Sequence, residues 1–328
     1  MMANEKVRNY CLDYIKGIAC IFVVFMHCEF PGILGVLVQS ISRFSVPLFF
    51  MISGYFCYRK ERIDYSKKIK HIGLIILSAS VFYIIVTPIY QTGGVTVTFQ
   101  DLAKFILFNV PPYIAPQLWF LFALFFDYLL FTLLDKLKIR KYAHHAIPVG
   151  IAVYIILAQG LHLMGVSVPN LVYRNFLIEG FPMFTLGFYI HEHKDSINIS
   201  TKALALIVVA TTLLCPVERW IMGRDFGVNI ISFPQVIATF LFAVKNPNLG
   251  KTTFFQKVGE YLSMYVYVIH PAIMNLLAKA YRTYHFSEQN VALYLKPVLC
   301  VMISIIFSLL FFWVNKSVSK HVYKKKTP

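Results

Sequence analysis

The chain contains a succession of apolar segments, each about as long as a membrane is thick. A transmembrane helix needs roughly 20 consecutive, mainly apolar residues to cross the hydrocarbon core of a bilayer. Ten segments meet this requirement, and basic, proline-containing or glycine-containing breaks separate them. They are residues 12–30, 35–57, 70–90, 116–134, 145–164, 175–191, 202–217, 228–245, 258–280 and 291–315. This pattern predicts an all-α, polytopic integral membrane protein with about ten transmembrane helices.

The composition argues against the soluble classes of protein. Of the 328 residues, 58% are hydrophobic and 14% are charged, whereas soluble domains are roughly 45–50% apolar and about 25% charged. A globular core cannot bury this much apolar surface, so a soluble enzyme, a nucleic-acid-binding protein and a disordered chain are all poor interpretations. The sequence has no fixed-period repeat and no soluble second domain, and we expect residues 1–328 to form one membrane domain.

The basic residues are distributed unevenly between the two sides of the predicted bundle. With the N-terminus placed inside, 22 Lys and Arg residues fall in the tails and inner loops, and 7 fall in the outer segments. Cytoplasmic loops carry an excess of Lys and Arg, so this distribution predicts that both termini are cytoplasmic. It also accounts for the formal net charge of +16, and we therefore expect no nucleic-acid partner.

The cysteines and histidines indicate neither a disulfide framework nor a metal centre. The six cysteines form no Cys-x-x-Cys pair and mostly lie within apolar segments, as small buried hydrophobic residues do. The pairs His144-His145 and His191-Glu-His193 lie in or near predicted cytoplasmic loops, where we expect them to be solvated. We therefore expect no bound metal.

The first predicted span carries two ionisable side chains on one face. Lys16 and His27 are eleven residues apart, which is about three helical turns and about 16 Å along the axis. Ionisable groups within a membrane are costly and are therefore functional candidates. The predicted orientation places Lys16 near the inner end and His27 in the outer half of the membrane. Two other interpretations stay open: a snorkelling Lys16 paired with Asp13, and a His27 bonded to a neighbouring helix.

The second predicted span runs inward and places Arg43 in the outer half of the membrane. A guanidinium there needs a carboxylate, carbonyl groups, water or an anionic ligand. Asp127 and Glu179 are acidic residues within later spans, and either could neutralise an arginine. The pair Ser53-Gly54 is either a substrate contact or only a close packing site between helices.

These polar positions belong to an ordered set of short motifs. In chain order they are Asp13-Tyr-Ile-Lys-Gly-Ile-Ala19, Val23-Val-Phe-Met-His27, Val46-Pro-Leu-Phe-Phe-Met-Ile-Ser-Gly-Tyr55, Gln117-Leu-Trp-Phe-Leu121, Arg174-Asn175 with Pro182-Met-Phe-Thr-Leu-Gly187, and Gly259-Glu-Tyr-Leu-Ser-Met-Tyr-Val-Tyr-Val-Ile-His270-Pro271. The set resembles the acyltransferase-3 family of integral membrane acyltransferases, from residue 12 to about residue 280. The version with Arg43 looks closest to single-domain acetyltransferases of bacterial surface glycans. It is also similar to the membrane part of serine racemases linked to vancomycin resistance.

The chain departs from the family pattern at two positions. The family typically has arginine where this chain has Lys16, and a lysine ammonium lacks the bidentate phosphate contact of a guanidinium. The histidine that often precedes the leucine–tryptophan pair is Gln117 here. No role is therefore carried over to residue 117.

The resemblance implies transfer of an acetyl group, or another acyl group, at a bacterial cytoplasmic membrane. The donor would be cytoplasmic acetyl-CoA or another acyl-CoA, the acceptor a hydroxyl of a surface glycan or of its lipid-linked precursor, and the surroundings membrane lipid. His27 would be the general base or a transient acyl carrier, since the pKa of histidine lies near the working pH. Arg43 and Arg174 would contact the oxyanion or the acceptor, and Lys16 would support the donor. The remaining candidates for substrate binding are His270, Ser53 and Trp119.

Two other classes of function use the same residues differently. A transporter or exporter of a polysaccharide or a small amino acid could use the buried polar face, although inverted repeats, which favour transport, are not evident in the sequence. A structural subunit of an envelope assembly would tolerate alanine at these positions. In the outer loop, we expect Glu218-Arg219 and Arg224-Asp225 to be two solvated ion pairs rather than sugar contacts.

Overall fold

The computed structural model describes residues 8–58, 65–90, 98–109, 118–286 and 289–324, and the regular elements in these ranges are helices. In chain order, the helices of ten residues or more are α1 (Tyr10–His27), α2 (Gly32–Ser42), α3 (Ser45–Tyr55), α4 (Ser66–Tyr90), α5 (Phe99–Phe108), α6 (Trp119–Lys136), α7 (Arg140–Leu163), α8 (176–193), α9 (Thr201–Met222), α10 (Ser232–Lys245), α11 (Phe254–Thr283) and α12 (Asn290–Lys324). A short helix, Asn170–Tyr173, lies between α7 and α8. The prediction of an all-α fold is confirmed for these ranges. We call the end of the bundle with His27 and Arg43 the outer end and the opposite end the inner end, after the orientation predicted from charge.

The predicted spans coincide with these helices. Seven described stretches are long and apolar enough to cross a membrane: α1, α2 with α3, α4, α7, α9, α11 and residues Asn290–Ser317 of α12. They indicate a multi-pass membrane protein. The other predicted spans, 116–134, 175–191 and 228–245, correspond to α6, α8 and α10, of which α10 has only 14 residues. The total of ten spans and the side of the termini stay predictions.

The helices divide into a packed centre and a covering layer. Half of the residues in the apolar windows of α2–α3 and α11 are buried (50%), compared with 17% in those of α4 and α7. The outward faces of the covering helices carry large apolar side chains such as Leu74, Ile84 and Leu213, which are 63%, 64% and 69% exposed. Apolar surface of this extent marks contact with lipid.

The central helices α3 and α8 approach each other most closely at glycine residues. A Cβ atom on Gly54 of α3 would lie 1.9 Å from the Phe184 carbonyl oxygen of α8, and one on Gly187 would lie 1.9 Å from the Met51 carbonyl oxygen. Small residues allow the backbones of membrane helices to approach this closely. Of the two sequence interpretations of Ser53-Gly54, the structure supports the packing site for Gly54.

A second glycine contact joins α1 to the start of α11. A Cβ atom on Gly17 would lie 1.9 Å from the Phe255 carbonyl oxygen, and one on Gly259 would lie 1.8 Å from the Asp13 carbonyl oxygen. Gly259 lies in the π turn Val258–Leu262, which widens α11 at this point. The two helices run in the same direction, and as a result α1 meets α11 at both its inner and outer ends.

Candidate active site

Two histidines lie face to face where α1 ends. The imidazole rings of His27 and His270 are stacked, with centroids 5.5 Å apart and planes inclined by 26°. His270 is fully buried, and its Nδ1 donates to the Val266 carbonyl oxygen at 3.1 Å. A carbonyl only accepts, so Nε2 of the neutral ring is the acceptor nitrogen. Within the described ranges this Nε2 has no hydrogen-bond partner, and the site therefore holds a free basic nitrogen next to His27.

Arg43 lies in the break between α2 and α3, close to His27. Its guanidinium donates to Gln39 Oε1 at 2.7 Å, and Gln39 donates in turn to the Met26 carbonyl oxygen at 2.9 Å. The same nitrogen, Arg43 Nη2, is 3.6 Å from Asp225 Oδ2. The guanidinium is thus tied to the residue before His27 and is partly neutralised by one carboxylate.

Arg174 approaches from the turn that precedes α8. Its guanidinium carbon lies 4.8 Å from the centre of the Trp119 ring, a cation–π contact. Asn175 then starts α8, because its side-chain oxygen accepts from the backbone N–H groups of Leu177 and Ile178. The stem of Arg174 passes over Gly227, where a Cβ atom would lie 3.4 Å from its Cδ. Two other segments, those of Trp119 and Gly227, therefore flank this side chain.

Of the two buried carboxylates, Glu179 and not Asp127 lies within electrostatic reach of the arginines. The charges of Arg174 and Arg43 act on Glu179. The same two charges act on His27, so the four groups share one region of the protein. The carboxyl of Asp127 is fully buried, and neither of its oxygens has a hydrogen-bond partner in the described part of the chain.

The structure thus brings five of the predicted site residues together: His27, Arg43, Trp119, Arg174 and His270. The other two lie elsewhere. Ser53 follows Arg43 by ten residues, about 15 Å along a helix, and its hydroxyl donates to the Phe49 carbonyl oxygen at 2.8 Å. Lys16 lies at the inner end.

A cavity of about 490 Å³ opens beside Arg43. Its lining includes Glu29, Gln39, Arg219 and Asp225, so it presents both hydrogen-bond donors and acceptors. Arg219 Nε donates to Asp225 at 3.1 Å. A wall of this kind suits a ligand rich in hydroxyl groups, which need both donors and acceptors.

The expectation of two solvated ion pairs in the loop after α9 is wrong. Glu218 is only 7% exposed, accepts from Gln159 at 2.6 Å, and accepts from the backbone N–H groups of Ile230 and Ile231. Asp225 pairs with Arg219 and Arg43 instead of Arg224. Glu218 lies near the end of α9 and accepts from the backbone just before α10, while Asp225, in the loop between the two helices, pairs with the arginines.

At the inner end, Lys16 lies beside a small ionic network. Arg8 binds two carboxylates, with contacts of 2.8 Å to Asp13 and 2.6 Å to Glu260. Gln256 also donates to Glu260, at 2.5 Å. Lys16 is partly buried and feels the charges of these groups, but among the described residues it makes no salt bridge of its own.

Asn109 is a structural residue of the site that the sequence analysis missed. It ends α5 with a φ of 48°, its Nδ2 donates to the Trp119 carbonyl oxygen at 3.1 Å, and its Oδ1 accepts from the Phe176 N–H at 2.7 Å. One buried side chain therefore links the start of α6 to the start of α8. The only hint in the sequence is an asparagine, a residue that tolerates positive φ, directly after an amphipathic segment.

We predict that Asn109→Ala lowers the free energy of unfolding by about 2 kcal/mol, because it leaves the Phe176 N–H without its acceptor, removes a bond to the Trp119 carbonyl oxygen and strains a left-handed backbone. Thermal unfolding in detergent, followed by tryptophan fluorescence, measures the change. Asn290→Ala, at an exposed position at the start of α12, is the matched control. Equal melting temperatures for the two variants would contradict the prediction.

Three further expectations from the sequence concern a metal site, the cysteines and residue 117. No three His, Cys, Asp or Glu side chains of the described ranges form a group that could hold a metal ion. The six cysteines are buried, and among the described residues they form no disulfide. Gln117 lies outside the described residues.

The comparisons with known proteins give one match. A family model described as an acyltransferase domain matches residues 9–314, which include all of the site residues above. No curated protein and no solved structure matches the chain.

Proposed function

The chain belongs to the acyltransferase-3 family, and on that premise we propose that it transfers an acyl group, most simply acetyl, from cytoplasmic acyl-CoA to a hydroxyl of a cell-surface glycan or its lipid-linked precursor. The observation that carries the proposal is the stacked pair His27 and His270 beside two arginines at one end of the bundle. Acyl transfer needs a base and a site for a developing negative charge. Both are present within one cluster.

His27 is the proposed base or acyl carrier. As a base, it takes the proton of the acceptor hydroxyl while the hydroxyl oxygen attacks the thioester carbonyl carbon. The C–S bond then breaks, and His27 returns the proton to the CoA sulfur. As a carrier, its nitrogen first takes the acyl group with release of CoA and then gives it to the hydroxyl. His270, with its free Nε2, accepts a hydrogen bond from the acceptor in either route.

Arg43 and Arg174 are the proposed donors to the oxyanion of the tetrahedral intermediate. Such donors act best when they are already held in place before the reaction. Here Gln39 and Asp225 hold Arg43, and the Trp119 ring holds Arg174. Glu179 lies within electrostatic reach of both guanidinium groups and is the buried carboxylate that would offset their charge.

The acceptor is proposed to enter through the 490 Å³ cavity beside Arg43. Its mixed donors and acceptors suit sugar hydroxyl groups better than an apolar or a strongly charged ligand. The cavity lies at the predicted outer end, which is the side where a surface glycan is presented.

The donor is proposed to bind at the inner end near Lys16. Arg8 already pairs with Asp13 and Glu260, which leaves the Lys16 ammonium for an anionic group of CoA. Lys16 and His27 lie on the same helix, about 16 Å apart along its axis. An extended pantetheine arm can cover such a distance.

We predict that Lys16→Ala raises the KM for acyl-CoA about tenfold with little change in kcat, since one charge-assisted contact is worth about 1.5 kcal/mol. Lys16→Arg should restore most of the affinity. CoA release at a range of donor concentrations measures both constants. Lys70→Ala, at an exposed position on α4, is the control, and an unchanged KM in Lys16→Ala would remove Lys16 from the donor site.

The proposal as a whole is tested with purified protein in nanodiscs, radiolabelled acetyl-CoA and a membrane and glycan extract of the source cells. We expect acceptor-dependent release of CoA and label in a glycan fraction, and no label with empty nanodiscs. A folded protein that neither binds nor consumes acetyl-CoA would refute the proposal. Uptake of labelled amino acids or oligosaccharides into proteoliposomes would then test transport.

A further inference from the structure

A second cavity, of about 560 Å³, lies at the inner end of the bundle between α6, the start of α7 and α8. We call it the α6–α8 cleft and define it by its lining residues Lys138, Lys141, His144, Thr185 and Tyr189. It is remote from the outer cavity and contains none of the residues assigned to acyl transfer above. Its chemistry is therefore independent of the proposed function.

The cleft carries excess positive charge. Asp135 is paired with Arg140 through both carboxylate oxygens, at 2.8 and 2.9 Å. Glu192 lies 3.9 Å from His193. No carboxylate of the described residues makes a salt bridge with Lys138 or Lys141, and the Lys141 ammonium lies 4.9 Å from the centre of the Tyr142 ring. Neither positive charge is therefore neutralised by a carboxylate, and both can pair with an anion.

The floor of the cleft holds a polar group without a partner. Thr185 is 3% exposed and lines the cleft, and its hydroxyl has no hydrogen-bond partner among the described residues. A buried hydroxyl without a hydrogen bond is costly. This cost is removed when a ligand oxygen accepts from it, and a phosphate oxygen beside two lysines is such an acceptor.

One wall of the cleft is a row of rings. His144 lies 4.0 Å from His145 and 6.2 Å from Tyr189, and Tyr189 lies 4.1 Å from His193, as distances between ring centroids. The carbonyl oxygen of Lys141 binds the His144 Nδ1 at 2.7 Å. The packed rings therefore hold the turn that carries Lys141 in position at the opening of the cleft.

The surface next to the cleft is apolar and faces lipid. At the end of α6 and in the turn that follows it, Leu133, Leu137 and Ile139 are 49%, 57% and 40% exposed, and Tyr142 at the start of α7 is 56% exposed. An exposed tyrosine beside lysines is typical of a membrane–water interface. Basic pockets between membrane helices on the cytoplasmic side bind lipid head groups.

We propose that the α6–α8 cleft binds the phosphate head group of an anionic phospholipid. Lys138 and Lys141 pair with the phosphate, Thr185 donates to one of its oxygens, and the acyl chains lie along the exposed apolar faces of α6 and α7. A nucleotide, such as the adenosine end of CoA, is the weaker occupant. The rings of Phe131, Phe184 and Phe188 pack together between the cleft and the core, and a donor bound here would have no open path to His27.

The test measures binding of phosphatidylglycerol to the full-length protein. Lipid retention by native mass spectrometry and the melting temperature in detergent are compared with added phosphatidylglycerol and with added phosphatidylcholine. We expect retention and stabilisation with phosphatidylglycerol only, and at least tenfold weaker binding in the double variant Lys138→Gln/Lys141→Gln. The double variant Lys251→Gln/Lys257→Gln, which changes two exposed lysines of the inner side, should bind like the wild type.

Thr185→Val separates binding from folding. In phosphatidylcholine this variant should melt at the same or a higher temperature than the wild type, because an unpaired hydroxyl is removed, while its response to phosphatidylglycerol should fall. Equal effects of the two lipids, or wild-type binding by the Lys138→Gln/Lys141→Gln variant, would overturn the proposal. Binding of adenosine 3′,5′-bisphosphate that the same two substitutions abolish would also overturn it, in favour of a nucleotide site.

Discussion

Replacing His27 by alanine is expected to lower the rate of acyl transfer at least about 100-fold, the lower end of the contribution of a general base. The side chain ends α1, stacks on His270 and lies in the field of Arg43 and Arg174. The described residues offer one other imidazole in this cluster, His270, which is held by the Val266 carbonyl. We therefore expect little compensation when His27 is lost.

The measurement is acceptor-dependent CoA release by purified protein, with the amount of folded protein matched by size-exclusion chromatography. His71→Ala, which removes an exposed histidine of α4, is the control and should retain full activity. Transfer by His27→Ala at the wild-type rate would remove His27 from the mechanism.

The same pair of variants distinguishes the two roles of His27. When labelled acyl-CoA is added without acceptor and the reaction is quenched, a carrier leaves label on the wild-type protein but none on His27→Ala. A general base leaves label on neither. Both outcomes are compatible with loss of transfer in the variant. The rate of transfer therefore shows whether His27 takes part in the reaction, and the trapping experiment shows whether it acts as a base or as an acyl carrier.

Gly54→Ala is expected to destabilise the protein by about 3 kcal/mol or more, at the upper end of the range for overpacking. The added methyl group would lie 1.9 Å from the Phe184 carbonyl oxygen and 2.8 Å from its carbon. Both are backbone atoms, which cannot rotate away as a side chain does. α3 and α8 would have to separate, and with them Arg43 and Arg174, so transfer should fall together with stability.

Thermal unfolding in detergent measures this effect, with an expected fall in melting temperature of about 10 °C. Gly73→Ala is the matched control, because its Cβ would meet only the Phe125 ring, at 3.8 Å. Alanine in that helix should leave the melting temperature unchanged or slightly raise it. A Gly54→Ala variant as stable as Gly73→Ala would show that the two helices do not pack as described.

The positions of most helices and of the site residues on α1 could be predicted from the sequence, because length, apolarity and helical period are local properties. Lys16 and His27 were expected on one face, and both lie towards α11, near Glu260 and His270 respectively. The helix α5 was not predicted. It is short, it buries no residue, and it owes its start to a capping box between Thr98 and Asp101.

The partners of the charged residues could not be predicted, because they come from segments far apart in the chain. Nothing near Arg43 in the sequence indicates Asp225, and nothing near Glu218 indicates that it accepts from the backbone N–H groups of Ile230 and Ile231. The choice between Asp127 and Glu179 likewise depends on packing. The π turns at 176–180 and 258–262 also could not be predicted, because the 3.6-residue apolar pattern that indicates a helix does not distinguish a π turn within it.

The two glycine contacts have a consequence for how the chain works. Each contact fixes a pair of central helices backbone to backbone, α3 against α8 and α1 against α11, so the two helices of a pair cannot slide past each other without first separating. On the proposed function, each substrate would then reach a fixed centre from its own side of the membrane and leave on that side. Only the acyl group would cross, which is vectorial group transfer and not the carriage of a substrate.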